Sequence, residues 1–301
     1  MKPAALRGSL VALVTPFDAT LALDESAYLE LIDWHISQQT SAIIVAGTTG
    51  EATQLNKAEY QQLLTKAVER VAGRIPVIAG TGYASTSQTI EQTKLARECG
   101  ADAALVVTPY YVRPPQEGLF QHYCAVADEG GLPVILYNVA ARTGVDLQPD
   151  TVARLAAHPN IIGVKEAKSD LARIQELLKI KRTTSFAVLS GDDETAAGAV
   201  QLGADGVISV VANVLPSAMA ALMDAAHAHD PAVEQLNQAL QPLMALMGIE
   251  PNPIPVKWAL HELKRCAAHV RLPLVELSAT HRPKIIAALR SLEARLASLE
   301  V

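Results

Sequence analysis

Residues 161–190 read IIGVKEAKSDLARIQELLKIKRTTSFAVLS, and their rhythm changes twice. Ile161–Val164 is a short, wholly apolar, mostly β-branched run. Leu171–Ile180 repeats its apolar residues at helical spacing, and Phe186–Leu189 is apolar again. The pattern predicts strand, helix, strand. A strand with no polar alternation is covered on both faces, and a helix that returns the chain between two such strands makes their pairing parallel.

The same unit recurs outward from this stretch. Toward the N-terminus lie the runs Ser9–Val14, Ala42–Ala46, Val77–Ala79, Leu105–Val107 and Val134–Leu136, and toward the C-terminus Val207–Val210. Segments such as Tyr28–Ser37 and Ala58–Val71 carry helical spacing between them. Eight such strands alternating with helices predict an α/β fold, a closed (β/α)8 TIM barrel, with an open doubly wound sheet as the alternative. Beyond Leu215 the β-branched runs stop, and Ala218–Ala228, Val233–Met247 and Lys284–Leu299 predict a C-terminal helical extension. Residues 1–228 are therefore read as the barrel carrying the site and 229–301 as a helical region. The proline-rich stretch GIEPNPIP at 248–255 predicts a turn between helices.

Length and composition agree with one large barrel. The chain has 301 residues, 50% of them hydrophobic and 19% charged, too apolar to remain disordered. A formal charge of −6 offers no basic field for a phosphate backbone, which argues against nucleic acid as a partner. Cys99, Cys124 and Cys266 are odd in number and widely spaced, against a disulfide framework or a structural zinc, and in keeping with a reducing cytoplasm. The apolar stretch Leu10–Val14 ends at Pro16, short for a signal-peptide core, so a cytoplasmic location is expected. The uncharged run Gly206–Met223 contains Ser209, Asn213 and Pro216 and reads as strand, loop and helix, so no membrane span is expected. An enzyme or a small-molecule binder remains.

Barrel chemistry sits where strands exit at their C-terminal ends. The second exit, Gly47-Thr48-Thr49-Gly50-Glu51, offers glycines that allow close backbone approach and two hydroxyls that could hold a carboxylate; the alternative is a tight turn capping the next helix. The fourth and fifth exits present phenols, in Thr108-Pro109-Tyr110-Tyr111 and Tyr137-Asn138-Val139-Ala140-Ala141-Arg142-Thr143-Gly144. The sixth strand ends in Lys165. An unpaired ammonium inside a barrel is costly, so this lysine must find a carboxylate or give up its proton and become a nucleophile able to form Schiff bases with ketones. An ion pair with Glu166 is the competing reading, although neighbours on a strand point to opposite faces.

Other constellations are weaker. His227 and His229 do not share a helix face, which disfavours a metal site, and Gly80-Thr81-Gly82 lacks the third glycine of a dinucleotide loop. The seventh exit, Gly191-Asp192-Asp193-Glu194, would repel a phosphate, and its acids are expected to complement the dipole of the following helix.

Taken together, GTTGE at 47–51, VTPYY at 107–111, YNVxxRTG at 137–144, VKEA at 164–167, LSGDD at 189–193 and GVISV at 206–210 make the chain resemble the 4-hydroxy-tetrahydrodipicolinate synthase family, within the pyruvate-dependent N-acetylneuraminate lyase superfamily, along essentially its whole length. The resemblance implies a covalent imine of pyruvate on Lys165, no cofactor and no metal, and condensation of the derived enamine with aspartate 4-semialdehyde. It implies a proton relay of Thr48, Tyr111 and Tyr137, with Tyr111 reaching into a neighbouring subunit of a homo-oligomer, often a dimer of dimers. It further implies that Thr49 contacts the pyruvate carboxylate, that Gly191 and Ile208 line the pocket through their backbone, and that Arg142 positions the semialdehyde carboxylate. Sister lyases acting on sugar acids typically lack that arginine and carry serine in place of Thr49. Ala140 stands where the family usually has proline, which would loosen the loop carrying Arg142. At the positions of the family's lysine-inhibition site stand Lys57, Tyr60, Ala84 and Gln88, without the acid that would hold the effector's ammonium, so weak or absent feedback is expected. A different pyruvate lyase and a keto-acid-binding sensor barrel are the alternatives in function.

Overall fold

The structure is a computed structural model of the chain and describes residues 1–298. Eight parallel strands close on themselves in chain order: β1 (Gly8–Ala12), β2 (Ala42–Val45), β3 (Val77–Gly80), β4 (Ala103–Val107), β5 (Val134–Asn138), β6 (Ile161–Glu166), β7 (Ala187–Ser190) and β8 (Gly206–Ser209), with β8 paired to β1. The closed barrel is as expected, and the open sheet is excluded.

Around it lie α1 (Glu25–Ser37), α2 (Lys57–Val71), α3 (Thr86–Glu98), α4 (Gln116–Glu129), α5 (Ala140–Thr143), α6 (Pro149–Leu155), α7 (Leu171–Leu178), α8 (Ala196–Gln201) and α9 (Pro216–Ala228). Local chemistry sets several boundaries. Asn56 and Glu59 form a reciprocal capping box at the start of α2, and the side chains of Asp24 and Asp170 accept backbone N–H groups at the starts of α1 and α7. The tail continues as α10 (Ala232–Leu246), α11 (Ile254–Glu262) and α12 (Arg282–Ser298); Leu299, placed by sequence in the last helix, lies outside the described residues. The sequence reading placed no helix at α11. Its prolines stand in the first turn, where a missing N–H breaks no helical bond, so the apparent breaker is a helix start. Among the described residues no helix is long and apolar enough to cross a membrane.

Strand alternation divides the apolar residues into two layers. Val11, Ile43, Val106, Leu136 and Val188 face the helices, while Leu10, Ile44, Ile78, Leu105, Ile135, Leu189 and Ile208 fill the barrel. β6 departs from strict alternation. Val134 pairs with Ile161, but the next residue, Ile135, pairs with Gly163, a β-bulge that leaves Ile162 extra. Ile161 and Val164 belong to the outer layer and Ile162 to the inner one, and Gly163 pairs with the inward-facing Ile135 and Ala187. Two successive inward positions reset the phase, so Lys165 points into the barrel and Glu166 toward the helices.

Glycine is required at the second of these positions, because a Cβ on Gly163 would lie 2.9 Å from the Ala187 carbonyl oxygen and 3.1 Å from the Ala187 Cβ. Gly163→Ala is expected to cost about 1–3 kcal/mol through this overpacking. Urea unfolding followed by circular dichroism measures the loss, and an unchanged midpoint would show that the bulge has room.

Candidate active site

The bulge brings Lys165 level with Tyr137 on β5 and Leu189 on β7. The lysine is 5% exposed, and its Nζ lies 4.4 Å from the centroid of the Tyr137 ring. Among the described residues no carboxylate forms an ion pair with it; the competing pair with Glu166 does not form, because Glu166 faces the opposite way. Gly191 makes room for the lysine, since a Cβ there would stand 2.8 Å from Lys165 Cε, while its N–H donates to the Glu166 carbonyl at 2.7 Å. Ile208 lies in the same inner cluster as Tyr137 and Leu189.

Above the barrel a cavity of about 260 Å³ is lined by Thr48, Tyr137 and Arg142 together with Thr81, Tyr83 and Tyr110. Lys165 is not on its wall and reaches this region through its contact with the Tyr137 ring. Burial pushes the Tyr110 phenol above its ordinary pKa, with Tyr83 adding to the effect. Thr49 is buried beside the cavity, and its Oγ1 accepts a hydrogen bond of 2.9 Å from Asn252 Nδ2. The Asn252 carbonyl accepts from Arg142 Nη2 at 3.4 Å. Asn252 therefore touches both residues expected to hold carboxylates, and it lies in the stretch read from sequence only as a turn.

The Arg142 loop is wound as a short helix. Ala140 is the first residue of α5, a position where proline and alanine are both at ease, and the turn closes through Gly144 N to Ala140 O at 2.9 Å. Thr143 pins it further, accepting from Thr108 Oγ1 at 3.1 Å. Tyr111 is not brought to the cavity. It is 89% exposed at φ +72°, a left-handed conformation uncommon for a bulky side chain.

Behind the strand ends runs a polar network that sequence reading did not assign. Asn138 Nδ2 donates to Glu166 Oε2 at 2.9 Å and to Asp146 at 2.7 Å, and Leu147 N donates to Asn138 Oδ1 at 3.0 Å. Arg173, 6% exposed, reaches both acids, at 2.8 Å for Asp146 and 3.5 Å for Glu166. Burial holds Glu166 above the ordinary carboxylate range, against the pull of Asn138, the Lys168 N–H and Arg173. Because Asn138 and Glu166 directly follow Tyr137 and Lys165, this network fixes the main chain under both. The available signal was Arg173 itself, a charge on the same helix face as Ile174 and Leu177.

The acids of the seventh exit act differently from the expectation. Asp192 caps its own turn by accepting from Thr195, but Asp193 crosses to the end of β8 and accepts from Val210 N at 3.0 Å and Val211 N at 2.9 Å. It joins two strand exits and does not serve a helix dipole. A second cavity of about 180 Å³ is lined by Lys57, Tyr83, Gln88 and Glu91. An acid does stand there, Glu91, three residues beyond the position matched by sequence. Among the described residues no cluster of three or more His, Cys, Asp or Glu side chains could hold a metal ion.

Comparison with known proteins gives a consistent result. The model of the dihydrodipicolinate synthetase family matches residues 5–292. A 4-hydroxy-tetrahydrodipicolinate synthase of Stenotrophomonas maltophilia strain R551-3 is 54% identical over 279 residues, covering 92% of this chain and 93% of that protein. One of Xylella fastidiosa is 49% identical over 297 residues, covering 96% and 98%. Among solved structures, the chloride-inhibited dihydrodipicolinate synthase of Acinetobacter baumannii complexed with pyruvate superposes with a TM-score of 0.94 at 46% identity, covering 96% of this chain and 99% of that one.

Removing the cation of the network tests its role. Arg173→Met leaves Glu166 and Asp146 facing each other without it, and is expected to cost about 3 kcal/mol at pH 7. Both carboxylates then titrate higher in the folded than in the unfolded protein. The penalty is complete above the folded values and shrinks as pH falls toward the unfolded value near 4. Unfolding free energies at pH 7 and pH 5 measure this; a penalty that grows on acidification contradicts it.

Proposed function

The chain belongs to the dihydrodipicolinate synthetase family, and from that premise we propose that it is a cytoplasmic lyase joining pyruvate to L-aspartate 4-semialdehyde to give 4-hydroxy-tetrahydrodipicolinate, the first committed step of the diaminopimelate route to lysine. One observation supports this most: a buried amine with no carboxylate partner among the described residues, packed on a phenol at the C-terminal end of a barrel.

The chemistry follows from that amine. Neutral Lys165 attacks the pyruvate ketone, and loss of water leaves a protonated imine whose nitrogen draws electrons from the adjacent methyl group. Loss of a methyl proton gives the enamine, whose carbon attacks the aldehyde, and the amino group of the semialdehyde then closes the ring and releases the lysine. Each step moves a proton, and Tyr137 with Thr48 is suited to carry it because a phenol and a hydroxyl add no competing charge beside the iminium. The scheme calls for no cofactor, since the iminium is itself the electron sink. Thr49, the Gly191 backbone and Ile208 would hold pyruvate, and Arg142, a fork-shaped cation exposed at the mouth, would take the carboxylate of the second substrate.

Tyr111 completes the relay only from a neighbouring subunit. Its exposure, its left-handed backbone and the exposure of Val112 beside it suit a segment offered to a second copy of the chain, so the active form would be at least a dimer.

Borohydride reduction in the presence of pyruvate is expected to add one pyruvyl group to Lys165, read by mass spectrometry of peptides. Lys165→Ala should gain none; an adduct retained in that variant would move the nucleophile elsewhere. Faster turnover of a sugar acid than of aspartate semialdehyde would replace the proposed second substrate. Tyr111→Phe should lower kcat by roughly 10²-fold while leaving the adduct intact, the size expected for a proton-transfer group, and wild-type rates there would remove Tyr111 from the relay.

A further inference from the structure

The Gly47–Glu51 loop ends on a carboxylate that the reaction scheme does not use. The side chains of Glu51 and Lys257 are both 0% exposed, with Nζ 2.6 Å from Oε1. Lys257 Nζ also donates to the His269 carbonyl at 2.7 Å and lies 4.1 Å from the centroid of the Phe17 ring. The second Glu51 oxygen accepts from Arg271 N at 3.0 Å, and the Arg271 guanidinium forks onto Glu59. Burying two charges is repaid only when their remaining hydrogen-bonding positions are filled, and an apolar pair of similar volume often serves stability as well or better. Stability alone therefore gives no reason for charges here. Direction does, because a short ion pair fixes its partners in a way that an apolar contact does not.

Glu51 has φ +54° and ψ +39°, a left-handed conformation that a non-glycine residue keeps when its surroundings hold it. Its N–H donates to the Thr48 carbonyl at 3.1 Å, and Gly50 N donates to Gly47 O at 3.1 Å, so the loop is wound up to the carboxylate. Lys257 lies on α11, and just before that helix Asn252 donates to Thr49 Oγ1. Loop and tail thus meet twice, at Glu51–Lys257 and at Thr49–Asn252.

We infer that Glu51 and Lys257 are positioning residues for the carboxylate-binding end of the site: their ion pair sets how the Gly47–Gly50 loop lies against α11, and so where Thr49 and Asn252 stand. The inference rests on the reading of Thr49 as the pyruvate carboxylate contact.

The test compares wild type with E51Q, which keeps the shape, and with E51Q/K257M, which removes both charges and leaves no unpaired ion. Both variants are expected to fold, with the double variant melting within about 5 °C of wild type. The KM for pyruvate should rise about tenfold in the double variant, the scale of one charge-assisted hydrogen bond, and the KM for aspartate semialdehyde by less than that, through Arg142, while kcat changes less than about threefold. A folded double variant with the wild-type KM for pyruvate overturns the inference. So does a fall in kcat alone, which reports only a smaller active fraction, and so does failure of both variants to fold, which makes the pair a stability element. Wild-type protein that traps no pyruvate under borohydride removes the functional reading itself, and this inference with it. Trapping in wild type beside an unaltered KM in the variants removes the inference alone.

Discussion

Opposite Val134 and Ile135 on β5, the chain of β6 advances from Ile161 to Gly163, and the active end of the barrel takes its character from that step. Under strict alternation an inward Ile162 would place Val164 inside and Lys165 among the helices, where an ammonium would meet an apolar layer. Glu166 would then stand in the barrel, and its carboxylate would hold any nearby amine protonated. The extra residue exchanges these two side chains. The amine goes to the dry interior beside Tyr137, and the acid goes outward to Asn138 and Arg173. A lysine that is to act as a nucleophile needs both halves of that exchange, since an acid beside it would hold the amine in an ion pair.

The same division of labour recurs around the rim. A strand places one residue inside and the next outside, so each chemical group has a covalent neighbour on the helix side. Tyr137 is followed by Asn138, Lys165 by Glu166, and the Gly191 turn by Asp193. Each outward neighbour is hydrogen-bonded to a different strand or loop: Asn138 and Glu166 to one another, Asp193 to the amides after β8. Glu51 plays this part for the Thr48–Thr49 loop. Buried polar groups without partners would cost stability, whereas paired across elements they resist sliding of one strand end past the next. The geometry of Tyr137 and Lys165 is thus set from behind, through their chain neighbours.

The fold was legible because covering both faces of each strand makes the strands uniformly apolar, and that signal survives without any knowledge of pairing. Lys165 stood out for the same reason, as a charge ending such a run. The bulge left no trace, since Ile162 and Gly163 suit a regular strand as well as a bulged one and only the register with Ile135 separates the two. Partners distant in the chain were equally hidden: Arg173 with Asp146, and Lys257 with Glu51, are joined by folding and not by spacing. In the tail, prolines at 251, 253 and 255 were weighed as breakers, although proline in a first helical turn removes a donor that has no helical partner. The turn expected between helices does form there, and it contains Asn252.

The position of Asn252 changes what the C-terminal helices are for. Eight strand ends supply side chains in a ring, but they provide nothing that spans the ring from above, and loops long enough to do so would have to be ordered at an entropic cost. A helical tail folded back over the mouth supplies the span from an element already rigid. α11 is anchored by Lys257 in a site closed to water, and Asn252, in the turn before the helix, reaches Thr49 through its side chain and Arg142 through its carbonyl. Two residues read as holding different carboxylates are thereby joined through a third from outside the barrel. On that reading the distance between the two carboxylate subsites depends on the seating of α11 as well as on the barrel, and the tail would then serve the site as well as the packing of the fold.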